Sequence, residues 1–234
     1  MTKRIKRIGV LGGSSDQATA VYYARLNKAA NEHLGGWNTA ELILTSMNFA
    51  FSEECVRKGL WAEMGAYLAD RAKALELGGA DLFLCVSNTL HRVADEFCAG
   101  VRMPFLHIAD PTAAAIRARG LGRVGLLGTK PVMSADYMKQ RYRQQGVEAI
   151  VPTEEEQDLV DRIIFDELCK GVFSAEAKAA YLKIIDAMAD RGAQGVILGY
   201  TEIPLLIAQE DRPTLPMFDT LALHVDAALE AALA

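Results

Sequence analysis

An internal repeat limits what this chain can fold into more than any other feature. Arg7-Ile8-Gly9-Val10-Leu11-Gly12-Gly13 returns nearly position for position as Arg123-Val124-Gly125-Leu126-Leu127-Gly128-Thr129. The run Leu82-Phe83-Leu84-Cys85-Val86, followed by Ser87-Asn88-Thr89, is matched by Val196-Ile197-Leu198-Gly199 followed by Tyr200-Thr201-Glu202. Met103-Pro104-Phe105-Leu106-His107-Ile108 is matched in placement by Leu215-Pro216-Met217-Phe218-Asp219-Thr220. Any single match could be chance similarity between apolar strands. Three in the same order at nearly constant spacing indicate duplication of one unit.

Each run is continuously apolar and then gives way to small polar residues, which is how a buried parallel strand leaves its sheet. Between the runs lie helical stretches: one opening near residues 14–16, where Ser14, Ser15 and Asp16 can each cap it, an amphipathic one over 61–77 closed by Gly78-Gly79, and one over 112–119 closed by Gly120. Further strands are expected over 41–46 and 104–108, and a helix from about His91. The fold class is therefore α/β: two pseudo-symmetric parallel-sheet α/β domains with the active site in the groove between them. Residues 1–115 with 216–234 form the expected first half and 116–215 the second. The final helix, 221–233, has no counterpart and is expected to pack back on the first half.

Composition closes off several function classes. A net charge of −5 gives no attraction to nucleic acid or to an anionic membrane. The basic start of the chain is followed by an apolar run of only residues 8–11, too short for a signal peptide or a membrane span, so a cytoplasmic protein is expected. The four cysteines, Cys55, Cys85, Cys98 and Cys169, show no CxxC pair and no zinc spacing, and read as reduced thiols. Gly12-Gly13-Ser14 lacks the rest of a dinucleotide fingerprint, and no GxxxxGK[ST] is present.

Ligands of open α/β sheets sit beyond the carboxyl ends of the strands. There the repeat aligns Ser87-Asn88-Thr89 with Tyr200-Thr201-Glu202, and these two strand ends are expected to face one ligand. With these residues in view the chain resembles the aspartate/glutamate racemase family, most closely its broad amino-acid racemase branch. The resemblance runs over nearly the whole chain. It rests on Gly9-Val10-Leu11-Gly12-Gly13 with Ala18-Thr19 and Tyr22-Tyr23, on Ser46-Met47-Asn48-Phe49, on Asn88-Thr89-Leu90-His91, and on His107-Ile108-Ala109-Asp110. It continues through Gly128-Thr129, the stretch from Ile163 to Gly171, Gly195-Val196-Ile197-Leu198-Gly199, Thr201-Glu202-Ile203 and Phe218-Asp219-Thr220.

The resemblance implies racemisation of acidic amino acids without pyridoxal phosphate or metal, and a homodimer. In the family two cysteines flank the substrate α-carbon; one thiolate removes the α-proton and the other thiol delivers a proton to the opposite face. Those cysteine positions hold Ser87 and Tyr200 here. A hydroxyl residue at the first position has precedent in the family. Loss of the second thiol is the larger departure.

The replaced residues make the chemistry harder. Poising an ordinary cysteine near pH 7 costs about 2 kcal/mol, and a tyrosine about 4 kcal/mol, which a nearby cation can supply. Serine is a poor base unless another group takes its proton, and His91, four residues on, is the nearest candidate in sequence; its alternative is a structural contact at a helix start. Cys85 shares a strand face with Ser87 but stands about 6.6 Å deeper, in the core. Cys55, Cys98 and Cys169 have no motif support.

Carboxylate binding is expected from Gly13, Ser14 and Ser15 at a helix N-terminus, where free N–H groups and the helix dipole favour an anion. Asn48, Asn88, Thr89, Thr129 and Thr201 add neutral donors. Lys130 is a candidate for a distal carboxylate, Lys170 a weaker one, and Glu202 is expected to hold a donor in place. Two alternatives stand beside the racemase. One is a lyase or decarboxylase relative that needs a single proton donor. The other is a catalytically silent binder of a small carboxylate that kept the pocket and lost the thiols.

Overall fold

A computed structural model of the protein describes residues 5–234; residues 1–4, half of the basic lead discussed above, lie outside them. The described residues form two compact units, residues 5–108 with 224–234 and residues 109–223.

The first unit runs β1 (Ile8–Gly12), α1 (Asp16–Leu34), β2 (Leu42–Ser46), α2 (Phe49–Lys58), α3 (Trp61–Leu77), β3 (Leu82–Cys85), α4 (Ala94–Cys98) and β4 (Phe105–Leu106), with a 3-10 turn over Thr89–Val93. Its four strands are parallel in the order β2-β1-β3-β4. Leu11 sits in register with Thr45 on one side and Cys85 on the other, so the residues that follow β1, β2 and β3 all emerge at the same sheet edge. The core beneath holds Leu11, Met64, Leu68, Leu75, Phe83 and Phe97.

The second unit runs α5 (Ala109–Ala118), β5 (Arg123–Leu127), α6 (Lys130–Ser134), α7 (Asp136–Gln144), β6 (Glu148–Ile150), α8 (Glu154–Asp166), α9 (Ala175–Asp190), β7 (Val196–Leu198), α10 (Ile203–Leu206) and β8 (Met217–Asp219). Its parallel strands follow the order β6-β5-β7-β8, the same as in the first sheet once the repeat is aligned. The last helix, α11 (Thr220–Leu233), begins in this unit and ends in the first.

The repeated glycine of the two opening strands is a packing residue. A Cβ on Gly9 would sit 3.1 Å from the Cβ atoms of Ala80 and Phe83, and one on Gly125 would sit 2.8 Å from Met188 Sδ. In each unit a side chain there would hold a neighbouring element off the central strand.

The boundaries differ from the sequence expectation. Phe218 pairs with Ile197, so β8 completes the second sheet as β4 completes the first. The segment 216–223 therefore belongs to the second unit. So does 109–115, because Arg141 of α7 holds Asp110 of α5 through two hydrogen bonds of 2.7 and 2.6 Å. What returns to the first unit is the later part of α11. Its His224 donates from Nε2 to the Leu106 carbonyl (2.9 Å) and accepts at Nδ1 from the Tyr22 hydroxyl (2.9 Å), and the Lys6 N–H donates to the Ala232 carbonyl. Among the described residues no helix is long and apolar enough to cross a membrane.

Candidate active site

In the first unit the expected residues follow three adjacent strands. The chain turns after β1 at Gly13, where φ is +85° and a Cβ would run into the Met47 backbone. The Gly13 N–H donates to Thr19 Oγ1 (2.8 Å), which ties the turn to the first turns of α1. Ser15 is the N-cap of α1, with Oγ accepting from the Ala18 N–H at 3.1 Å. Asn48, after β2, caps α2 in the same way through Oδ1 and the Ala50 N–H. Ser15 is thus a helix cap, one of the three candidates the sequence offers, and Asn48, expected to bind substrate, caps a helix through its oxygen; both satisfy backbone donors that would otherwise be open. Ser14 is half-buried beside them.

Ser87 follows β3 and is half-buried, with Asn88 and Thr89 buried behind it. Its Oγ accepts a long hydrogen bond from the Leu90 N–H, 3.4 Å. His91 does not serve that hydroxyl. The Ile108 N–H donates to Nε2 at 3.1 Å, so Nε2 carries no proton; Nδ1 then donates to the Ser87 carbonyl at 2.7 Å. Both ring nitrogens are engaged by backbone, and His91 is a structural histidine of the turn. His107 and His224 pack their rings on it, with centroids 4.4 and 6.3 Å away. Among the described residues no group of three His, Cys, Asp or Glu side chains is arranged to hold a metal ion.

All four cysteines carry free thiols. Cys85 is fully buried below Ser87, and burial pushes its thiol up to about 12; Cys98 is pushed up to about 11 by the same cause. Neither is poised to ionise near neutrality.

In the second unit Thr129 follows β5 at the N-terminus of α6 and is buried. The Lys130 N–H donates to Asp161 Oδ1 (2.7 Å), and its ammonium is paired with Asp158. That ion pair takes up the charge the sequence had offered to a distal carboxylate. Tyr200 follows β7, half-buried against the core of Leu127, Ile164, Leu168, Tyr181 and Ile203. The Thr201 hydroxyl donates to the buried Glu202 carboxylate. Thr201 was expected to donate to substrate. With its proton spent on Glu202 it presents lone pairs, which suit a substrate ammonium rather than a carboxylate.

Burial first, and then the charge of Glu202 and the Cys169 thiol, hold the Tyr200 phenol far above the usual tyrosine range. A phenol whose proton is held so tightly is a poor resting base, and its proton is the one it can give. Sequence reasoning missed one residue of this site. Cys169, in the 3-10 turn Leu168–Lys170, places Sγ 2.8 Å from the Tyr200 hydroxyl. No spacing rule links a turn between α8 and α9 to the end of β7; only the fold joins them.

A family model described as Asp/Glu/Hydantoin racemase matches residues 8–228. The chain belongs to that family. Among solved structures it is similar to a Yersinia pestis protein named for the Asp/Glu racemases, with 38% identity, 98% of this chain and 100% of that one covered, and a TM-score of 0.91. An aspartate racemase homologue from Pyrococcus horikoshii OT3 is 35% identical over 97% of this chain and 99% of that one, with a TM-score of 0.83. The aspartate racemase of Picrophilus torridus, 21% identical with a TM-score of 0.74 over 97% of this chain and 94% of that one, shares the fold. The two parallel α/β units described above are thus the racemase-family architecture.

Proposed function

We propose that this family member is a cofactor-independent amino-acid racemase for aspartate, glutamate or a related amino acid, with Ser87 and Tyr200 as its proton-transfer groups. Membership of the racemase family and the printed names of its structural neighbours support the reaction class. The observation that carries the assignment to this chain is Tyr200 itself. It is a half-buried phenol at the end of the central strand β7, held in its protonated form. Such a group can deliver a proton to a carbanion-like α-carbon.

The substrate's α-carboxylate is assigned to the turn Gly13-Ser14 and the first N–H groups of α1, where the helix dipole favours an anion. Asn88, Thr89 and Thr129 line the strand ends as neutral partners. Thr201, oriented by Glu202, is assigned to the ammonium. A homodimer through the first unit would cover its exposed Tyr23, Trp37 and Leu44.

One observation favours a second reading. His91, the candidate base for Ser87 nearest in sequence, is committed to backbone at both nitrogens. A lyase or decarboxylase forms a similar carbanion by breaking a different bond and then needs a single donor, which Tyr200 supplies. Incubation in D₂O with a panel of L- and D-amino acids separates the two. Deuterium at the α-carbon with inversion supports the racemase; a new product without inversion supports the second reading; binding without either reduces the protein to a carboxylate binder.

A further inference from the structure

We infer that Cys169 is the proton reservoir of Tyr200: a positioning residue that acts through the phenol, orients its hydroxyl and refills its proton after transfer. Cys169 Sγ and Tyr200 Oη are 2.8 Å apart, and both side chains pack against the core of the second unit. The thiol is the stronger acid of the two in ordinary terms, so the first proton to leave the pair comes from sulfur, and the resulting thiolate accepts from the phenol. A phenolate in this setting would be buried next to the Glu202 carboxylate, which opposes it.

A relay avoids that species. The Tyr200 O–H bond breaks as the new Cα–H bond forms, and the Cys169 S–H bond breaks as the phenol O–H is restored. The proton that reaches carbon is in effect the thiol's, and the electron pair of the S–H bond stays on sulfur as thiolate. Solvent, or the α-proton of substrate in the reverse direction, returns the thiol. A second polar group lies in the same core. The Tyr181 hydroxyl is buried there with no hydrogen-bond partner among the described residues, and its phenol adds to the electrostatic pressure on Tyr200. The chain therefore supplies the thiol missing from the β7 strand end at one remove, from a turn rather than from the strand.

The substrate in this scheme rests on the racemase reading, but the pair itself does not, and the test keeps the two apart. Protein labelled at cysteine Cβ with carbon-13 is titrated by NMR, with the Cys169 signal assigned by its loss in Cys169→Ser. The Cys169 midpoint is expected to rise by about one pH unit in Tyr200→Phe, because the thiolate loses its donor. The near-ultraviolet phenolate band should stay flat through the wild-type step. An unmoved midpoint, or a phenolate band that grows with the first proton lost, overturns the pairing. In D₂O, Cys169→Ser is expected to lower α-deuteration about 100-fold and to change its pH profile, while Cys98→Ser leaves both unchanged. If wild type exchanges and Cys169→Ser exchanges equally well with the same profile, the reservoir role is wrong and the racemase reading survives. If wild type exchanges no amino acid while the midpoint still moves, the racemase reading falls and the pair stands.

Discussion

The Tyr200 hydroxyl and the Cys169 thiol meet at 2.8 Å although 31 residues separate them in sequence. That contact fixes what the β7 strand end can do. A phenol alone in a buried, anionic setting has no route to ionise; a phenol backed by a thiol can pass a proton and leave the charge on sulfur.

Tyr200→Phe removes one hydroxyl and nothing else of the side chain. The fold is expected to persist with a loss of about 1 kcal/mol, the worth of one hydrogen bond, while inversion of substrate falls at least about 100-fold. Thermal unfolding and a chirality assay on the same sample check the two halves of this expectation. A variant that inverts substrate at the wild-type rate removes Tyr200 from the reaction.

Stability should fall on the alkaline side in two stages. Burial raises the Cys85 thiol from 9.0 to about 12 and the Cys98 thiol from 9.0 to about 11, and raises the Tyr142, Tyr181 and Tyr200 phenols above their ordinary value of 10.0. Each group holds its proton more tightly folded than unfolded. Its contribution is complete below the ordinary value and is lost as pH climbs toward the folded one. The decline therefore starts above pH 9 with the thiols and steepens above pH 10 as the phenols join, at about 1.4 kcal/mol per pH unit for each fully buried group. Urea midpoints between pH 7 and pH 11 measure it. Cys85→Ala should shrink the first stage, leaving the Cys98 part of it, and should leave the second unchanged.

His91→Phe keeps a ring in the turn and removes two hydrogen bonds. The Ile108 N–H and the Ser87 carbonyl are left without that ring, at about 1–3 kcal/mol for each buried group stranded. Because the imidazole takes no proton from Ser87, the pH profile of α-proton exchange should keep its shape as the rate falls. A lost acidic limb would instead identify His91 as a base.

Gly13→Ala tests the turn assigned to the substrate carboxylate. With φ at +85° and the Met47 backbone in the way of a Cβ, the variant should lose at least about 1–3 kcal/mol. Binding of aspartate or glutamate, followed by calorimetry, should weaken with it, since the Gly13 N–H and the start of α1 move together.

Much of the fold was legible because the repeat is carried by local signals. α3 begins at Trp61 and ends at Leu77 as its apolar stripe and the following Gly78-Gly79 require. The helix expected from about His91 is made of a 3-10 turn over Thr89–Val93 and the short α4. α2 escaped notice, although the Asn48 that caps it was singled out for substrate binding; the two uses have the same sequence signature. The strand-end residues Ser87 and Tyr200 were legible from alignment of the two halves. Their partners were not. Whether Ser87 has a base and Tyr200 a thiol depends on which atoms of His91 and Cys169 turn toward them, and side-chain direction across distant elements leaves no mark in one sequence.

The central claim is proton transfer at an amino-acid α-carbon, and a time course in D₂O tests it most directly. Aspartate and glutamate of each hand are incubated with the wild-type protein, and α-deuterium and chirality are followed together. Racemisation predicts that deuterium enters the inverted enantiomer at the rate at which inversion proceeds. Deuterium appearing only with retained configuration, or none appearing in any amino acid at saturating protein, contradicts it.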